Sequence, residues 1–195
     1  MVKNTDSKQL VLEAAQKLFS KKGYYGTTVR DIAKERGILS GSIYSLIQSK
    51  EDLLFTIADT DTDGFIETLE TIVKKPCSAR TKICLGLIAH LKLVTEHLDA
   101  SSVFFHEWNA LSDTRRKVIL QKRDRYESLW TEILTDGVES GELEISNVKF
   151  ARMLILTVAN SVYQWYDPEG PDGAEEIALH FTELILNGMV KSRNI

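Results

Sequence analysis

The stretch Thr27-Thr28-Val29-Arg30-Asp31-Ile32-Ala33, followed by Gly37-Ile38 and then by Ser40-Gly41-Ser42-Ile43-Tyr44-Ser45, decides the fold. Thr28 and Asp31 stand at the spacing of a capping box, in which a hydroxyl and a carboxylate each accept from a backbone N–H of the first turn. A short helix therefore opens at Thr28, and Gly37 stops it. A second short helix is predicted from Ser40 to about Ile47. Ala33 is small where the two helices must approach closely, and Ile32, Ile38 and Ile43 are spaced to form a miniature core beneath them. Two short helices across a glycine turn make a helix-turn-helix. Glycine inside a helix costs about 1 kcal/mol relative to alanine, and no packing role for Gly41 is visible in the pattern. Small groups at Ser40, Gly41, Ser42 and Ser45 instead let the helix approach something broad, and the DNA major groove, about 12 Å wide, admits one helix.

Working outward, Leu10, Val11, Ala14, Ala15, Leu18 and Phe19 recur on one helical face, and Gly23 with Gly26 closes that helix. On the other side Ser49 is an N-cap with Asp52 at the third helical position. A long helix then runs to about Lys75. Further helices are predicted at about Ala79 to His97, Ser102 to Leu111, Asp113 to Ser140, Asn147 to Tyr166 and Ala174 to Lys191. Pro76, Pro168 and Pro171 fall only between these segments, as the cost of a proline in a helix interior requires. No period-two alternation appears, so the fold class is all-α with about nine helices. The division expected is a helix-turn-helix domain at residues 1–50 and a larger helical domain at 51–195.

Of the 195 residues, 43% are apolar and 27% charged. No apolar run approaches the roughly 18 residues of a membrane span. The start, Met1-Val2-Lys3-Asn4-Thr5-Asp6, lacks the apolar centre of a secretory signal, so a cytoplasmic protein is expected. Cys77 and Cys84, read as lying on one helix, would be about 10 Å apart and beyond disulfide reach. The net charge of −4 conceals an asymmetry: residues 1–50 hold 9 Lys or Arg against 4 Asp or Glu, and the rest hold 15 against 24. A head of +5 on a body of −9 points to a polyanion as the head's partner.

The motif at Thr27 to Ala33, Gly37-Ile38, Gly41 to Tyr44 and Ser49-Lys50-Glu51-Asp52-Leu53 resembles the DNA-binding domain of TetR-family transcriptional regulators. That resemblance implies a homodimeric regulator, usually a repressor, whose carboxy-terminal domain binds a small molecule that weakens operator binding. It implies that Arg30 and Ser40, Gly41, Ser42 and Ser45 face base edges, while Tyr44, Lys50 and Thr28 hold phosphates of double-stranded DNA. Leu39 stands where the family more often has a small or polar residue, and Leu46-Ile47 replaces an aromatic or His followed by Phe. The residues alone leave other readings open: Tyr44 as a packing residue, Lys50 as a solvated charge, and Arg30 paired with Asp31 or Glu35.

In the body, Ile177, Phe181, Leu184 and Gly188 share one face of the last helix, with Ala178, Ile185 and Met189 beside them. Phe150, Leu154, Val158, Val162 and Trp165 do the same on the preceding one. Apolar surface this wide exceeds what one-sided packing needs. In the family, these two helices pair with their copies as a four-helix bundle, which implies a near-palindromic operator. Phe104, Phe105, Trp108, Trp130, Tyr163, Trp165 and Tyr166 concentrate aromatic area in two stretches. With Tyr126 and Arg123 they form the expected ligand site, ordinary core being the other reading. The run Arg115-Arg116-Lys117 and Lys122-Arg123-Arg125 is either a solvated face or a set of donors for a phosphate-bearing ligand. Gly37 to Tyr44 and Trp165 to Gly170 look like those of TetR-family members that control fatty-acid or sterol degradation, which implies an acyl-CoA thioester as one candidate effector.

His90, His97, His106 and His180 show no metal-ligand spacing, neither cysteine has an adjacent histidine, and no glycine-rich phosphate loop follows a strand. No metal, cofactor or catalytic residue is expected. A helical carrier or enzyme with a degenerate head is the rival reading, and an activator built from the same parts is another.

Overall fold

The computed structural model describes residues 2–188, with side chains from Ser7 onward. Among these residues the secondary structure is helical throughout, with α1 (Val2–Lys22), α2 (Val29–Arg36), α3 (Ser40–Ile43), α4 (Lys50–Val73), α5 (Ala79–Glu96), α6 (Leu98–Glu107), α7 (Asp113–Glu139), α8 (Val148–Trp165) and α9 (Ala174–Asn187). A 3-10 turn, Trp108–Ala110, ends α6. The all-α expectation is met. The reading of a last helix to Lys191, with Met189 on its face, falls partly outside the described residues; Gly188, at φ +71°, closes α9 within them.

Two expectations are corrected. The third helix is a single turn rather than a run to Ile47, because the backbone tightens after Ile43 into successive turns: Ser45 N–H donates to Ser42 O at 3.2 Å and Leu46 N–H to Ile43 O at 2.9 Å. Cys77 lies in the turn after Pro76 rather than on a helix with Cys84, and both thiols are free.

The chain forms two compact units, one comprising the chain up to Asp63 with His97–Lys122, the other Gly64–Glu96 with the chain from Arg123 onward. This partition differs from a cut at residue 50 for a physical reason. In the first unit α1 packs on α6, and the start of α4 is tied to α7 by charge. Asp52 pairs with Arg115, Lys122 bridges Asp59 at 2.5 Å and Asp63 at 2.8 Å, and Glu51 accepts from Ser112 N–H at 2.9 Å. Burial works against the charge on Lys122, but its hydrogen bonds to Asp59 and Asp63 outweigh that and raise its pKa. In the second unit α5 packs against α8 and α9, and Glu70 takes Arg125.

Among the described residues, no helix is long and apolar enough to cross a membrane.

Candidate nucleic-acid interface and effector site

The helix-turn-helix is built by local hydrogen bonds. Asp31 N–H donates to Thr28 Oγ1 at 3.1 Å, and Thr28 N–H to Asp31 Oδ2 at 2.9 Å, closing the capping box. The hydrogen bonds from Thr28 hold the Asp31 carboxyl below its ordinary pKa. Gly37 takes the left-handed conformation at φ 73°, and Ile38 N–H reaches back to Ala33 O at 2.9 Å, the C-cap that glycine allows. Ile32, Ala33 and Ile43 are fully buried beneath the turn, while Ile38 is half-buried. Thr27 is buried as well, and its hydroxyl donates to Gly23 O at 2.9 Å.

This scaffold leaves the polar and small residues of α3 exposed. Arg30, Ser40, Gly41, Ser42, Tyr44 and Ser45 are all exposed, Tyr44 by 61%. A Cβ added to Gly41 would meet nothing within 4 Å, so the chain's own packing does not demand a glycine there. The intrahelical rivals for Arg30 are otherwise engaged, since Asp31 serves Thr28 and Glu35 pairs with Lys17 of α1. Ser45 Oγ donates to Ser42 O at 2.7 Å, which occupies its proton but not its lone pairs. Leu39, 80% exposed, precedes α3.

Lys50 has a part the sequence did not announce. Its ammonium donates to Tyr24 O at 2.8 Å and Thr27 O at 2.9 Å, and sits 4.0 Å above the Tyr24 ring. Burial lowers its pKa. An ammonium has three donors, and two of them anchor the loop ahead of α2.

The expected ligand residues divide between the units. Phe104 and Phe105 lie with tilted rings against each other in the first, with ring centroids 5.0 Å apart, and Trp108 stands in the 3-10 turn there. Arg123, Tyr126, Trp130, Tyr163 and Tyr166 belong to the second. Of these, the second unit brings together Tyr126 and Trp130. They join Phe65 and His90: Tyr126 lies 5.7 Å from Phe65 and 6.5 Å from Trp130 between ring centroids, and its hydroxyl is 2.9 Å from His90 Nδ1. Burial pushes the His90 imidazole down to about 3 and raises the Tyr126 phenol. Gly86 makes room for Trp130, since a Cβ there would lie 2.6 Å from Cη2. Tyr163 receives a hydrogen bond from Gln164, Tyr166 caps α8, and Trp165 stands half exposed against Phe181. Burial lowers the pKa of Arg123. The other basic residues with α4 partners, Arg115, Lys122 and Arg125, bind carboxylates, which accounts for most of the basic run as structure. A separate cavity of about 340 Å³ opens among Arg80, Ile83, Leu143, Leu154 and Ile185 and includes none of the expected residues.

His90 and Gly86 escaped sequence reasoning because their partners lie on other helices. A seven-residue match between Asp52 and Asp59 on one helix and Arg115 and Lys122 on another was the available signal for the ion pairs.

Comparison with known proteins agrees with this architecture. Residues 11–57 match the model for bacterial regulatory proteins of the tetR family, and residues 76–189 match the tetracyclin repressor-like C-terminal domain. The chain belongs to the TetR family. It is 28% identical over 186 residues to the HTH-type transcriptional repressor KstR2 of Mycolicibacterium smegmatis, covering 94% of this chain and 90% of that one. It is 27% identical over 181 residues to the fatty acid metabolism regulator protein of Bacillus subtilis, covering 92% and 93%. The crystal structure of PfmR, a TetR family transcriptional regulator from Thermus thermophilus, superposes with a TM-score of 0.87 at 30% identity over 93% of this chain and 99% of that one. This TetR-family chain is a DNA-binding transcriptional regulator, not an enzyme.

Proposed function

We propose that this protein is a homodimeric repressor that occupies a near-palindromic operator and is released by an apolar effector of the acyl-CoA class. The observation that carries the reading is the exposed surface of α2 and α3: Gly41 has space around it that no part of the chain fills, and Arg30 is exposed with its acidic neighbours engaged elsewhere. Arg30 and the Ser40 to Ser42 segment read base edges, Ser45 lies beside them, and Thr28, Tyr44 and the remaining donor of Lys50 hold phosphates. Exposed Phe150, Leu154, Trp165 and Leu184 on α8 and α9 supply the dimer face. A two-fold dimer sets its two reading helices about 34 Å apart, one turn of DNA. The action is cytoplasmic, at the nucleoid.

The kinship with a fatty acid metabolism regulator supports the effector class, as does the aromatic cluster of Phe65, Tyr126 and Trp130 in the second unit. The helix α4 begins at the reading head and continues into the ligand-binding domain. An effector that binds better when α4 is displaced shifts the head spacing by its differential affinity for the two arrangements.

Selection of bound duplexes from a random pool tests the reading. An inverted repeat should emerge, its affinity should fall steeply with salt because each head carries +5, and long-chain acyl-CoA should release it. A folded dimer that selects no sequence at low salt overturns the proposal.

A further inference from the structure

The core of the second unit contains polar groups that the fold does not satisfy. His90 is 2% exposed and Trp130 0%, yet neither His90 Nε2 nor Trp130 Nε1 has a hydrogen-bond partner. An unpaired buried donor keeps its full desolvation cost, and native proteins seldom leave one without a reason.

Tyr126 Oη and His90 Nδ1 share a hydrogen bond of 2.9 Å. With the phenolic proton directed to His90 Nδ1, the neutral imidazole carries its own proton on Nε2. Asn160 of α8 stands near enough to favour the charged imidazole without closing a hydrogen bond at Nε2. The result is a donor held ready inside apolar walls. Phe65, Leu69, Gly86 and Leu93 line the adjoining crevice together with His90 and Tyr126.

We infer that His90 Nε2–H is the donor that recognises the carbonyl oxygen at the head of the effector's hydrocarbon chain, with Tyr126 as the positioning residue on Nδ1. This rests on the acyl-CoA reading and deepens it: the oxygen recognised is that of the thioester. The crevice has no room for even a water-sized body, so entry of an acyl chain requires side chains of α5 and α7 to move apart. Recognition of the carbonyl is thereby coupled to a change in helix packing.

The test compares hexadecanoyl-CoA with S-hexadecyl-CoA, a thioether of the same chain that lacks the carbonyl oxygen. Calorimetry on the full-length dimer should show the thioester binding about tenfold more tightly, and His90→Phe should remove that preference. Nitrogen-labelled histidine should show the His90 Nε2 proton moving downfield with the thioester alone, a readout from the wild-type chain that needs no variant to fold. Equal affinities of the wild type for the two probes, or an unmoved His90 signal, overturn this inference while leaving operator release by thioesters standing. Failure of both probes to bind overturns both readings.

Discussion

Lys50 and Tyr24 are joined twice: the lysine ammonium donates to the tyrosine's carbonyl oxygen at 2.8 Å and lies 4.0 Å over the centre of its ring. Tyr24 in turn packs edge-on against Phe19 of α1, at 5.3 Å between centroids. The first residue of α4 is thus fastened to the loop that delivers α2. Lys50→Met removes two charge-assisted hydrogen bonds and leaves two carbonyls without that donor, so about 1–3 kcal/mol of stability should be lost. Duplex affinity should fall further than the stability loss explains, since one donor for phosphate goes too. Thermal unfolding and salt-titrated duplex binding, measured on the same preparation, separate the two effects.

Gly41→Ala gives opposite signs in two assays. The site is helical, its Cβ would meet nothing within 4 Å, and alanine favours a helix over glycine by up to about 1 kcal/mol. The variant should be as stable as the parent or slightly more so in urea titration. Its operator affinity should nevertheless drop at least several-fold if, as proposed, the added methyl stands where the base edges approach. Undiminished affinity would remove α3 from the interface.

Arg30→Ala should relax selectivity rather than abolish binding. A bidentate arginine contact to a guanine discriminates by about 1–3 kcal/mol. Operators mutated one base pair at a time should therefore show one position per half-site that matters to the parent and no longer to the variant.

How far the sequence foretold these arrangements depended on the range of the forces involved. The capping box at Thr28 and Asp31 and the left-handed Gly37 are set by neighbours within a few residues, so the pattern of hydroxyl, carboxylate and glycine sufficed. The length of α3 was less legible: the apolar spacing of Ile43 and Ile47 suits a helix, and tightening of the backbone after Ile43 overrides it. Lys50 read as a surface cation because its acceptors are backbone carbonyls 26 and 23 residues away, which no side-chain pattern marks. The body was harder still. Tyr126 and Trp130 were visible as aromatic mass, but their meeting with His90 depends on how α5 and α7 pack, and the basic run showed its sign without showing the carboxylates that neutralise it.

Asp61 predicts a pH response. Its carboxyl is largely buried with Oδ2 unpaired, and burial pushes its pKa up to about 7. The folded state therefore retains a proton that the unfolded chain releases near pH 4, so stability falls as pH rises from about 4 to 7 and is flat above that range. His90 acts with the other sign: its folded pKa, about 3, lies below the unfolded value, so its contribution is full above about pH 6.5 and is lost as pH drops. Asp61→Asn isolates the first effect. It should raise the unfolding temperature at pH 8, with a gain of up to a few kcal/mol, and change little at pH 4. An equal gain at both pH values would show that titration of Asp61 is not the cause.

The apolar face of α8 and α9 gives the sharpest test of assembly. Phe150 is 65% exposed, Leu154 52% and Leu184 49%, and three large side chains left this open on adjacent helices carry an unfavourable hydration cost unless another surface covers them. Each copy presents the same face, so a two-fold contact brings like side chains near one another, and a single substitution places two new charges in one interface. Leu154→Glu should therefore shift sedimentation to the monomer at micromolar concentration while leaving the helical circular dichroism unchanged. The monomer should still bind half an operator weakly, through one reading head, with a salt slope about half that of the dimer because half the phosphates are contacted. Phe150→Glu should act the same way. A chain that remains dimeric with both charges in place would assign the interface to another surface and leave the exposed row on α8 unexplained.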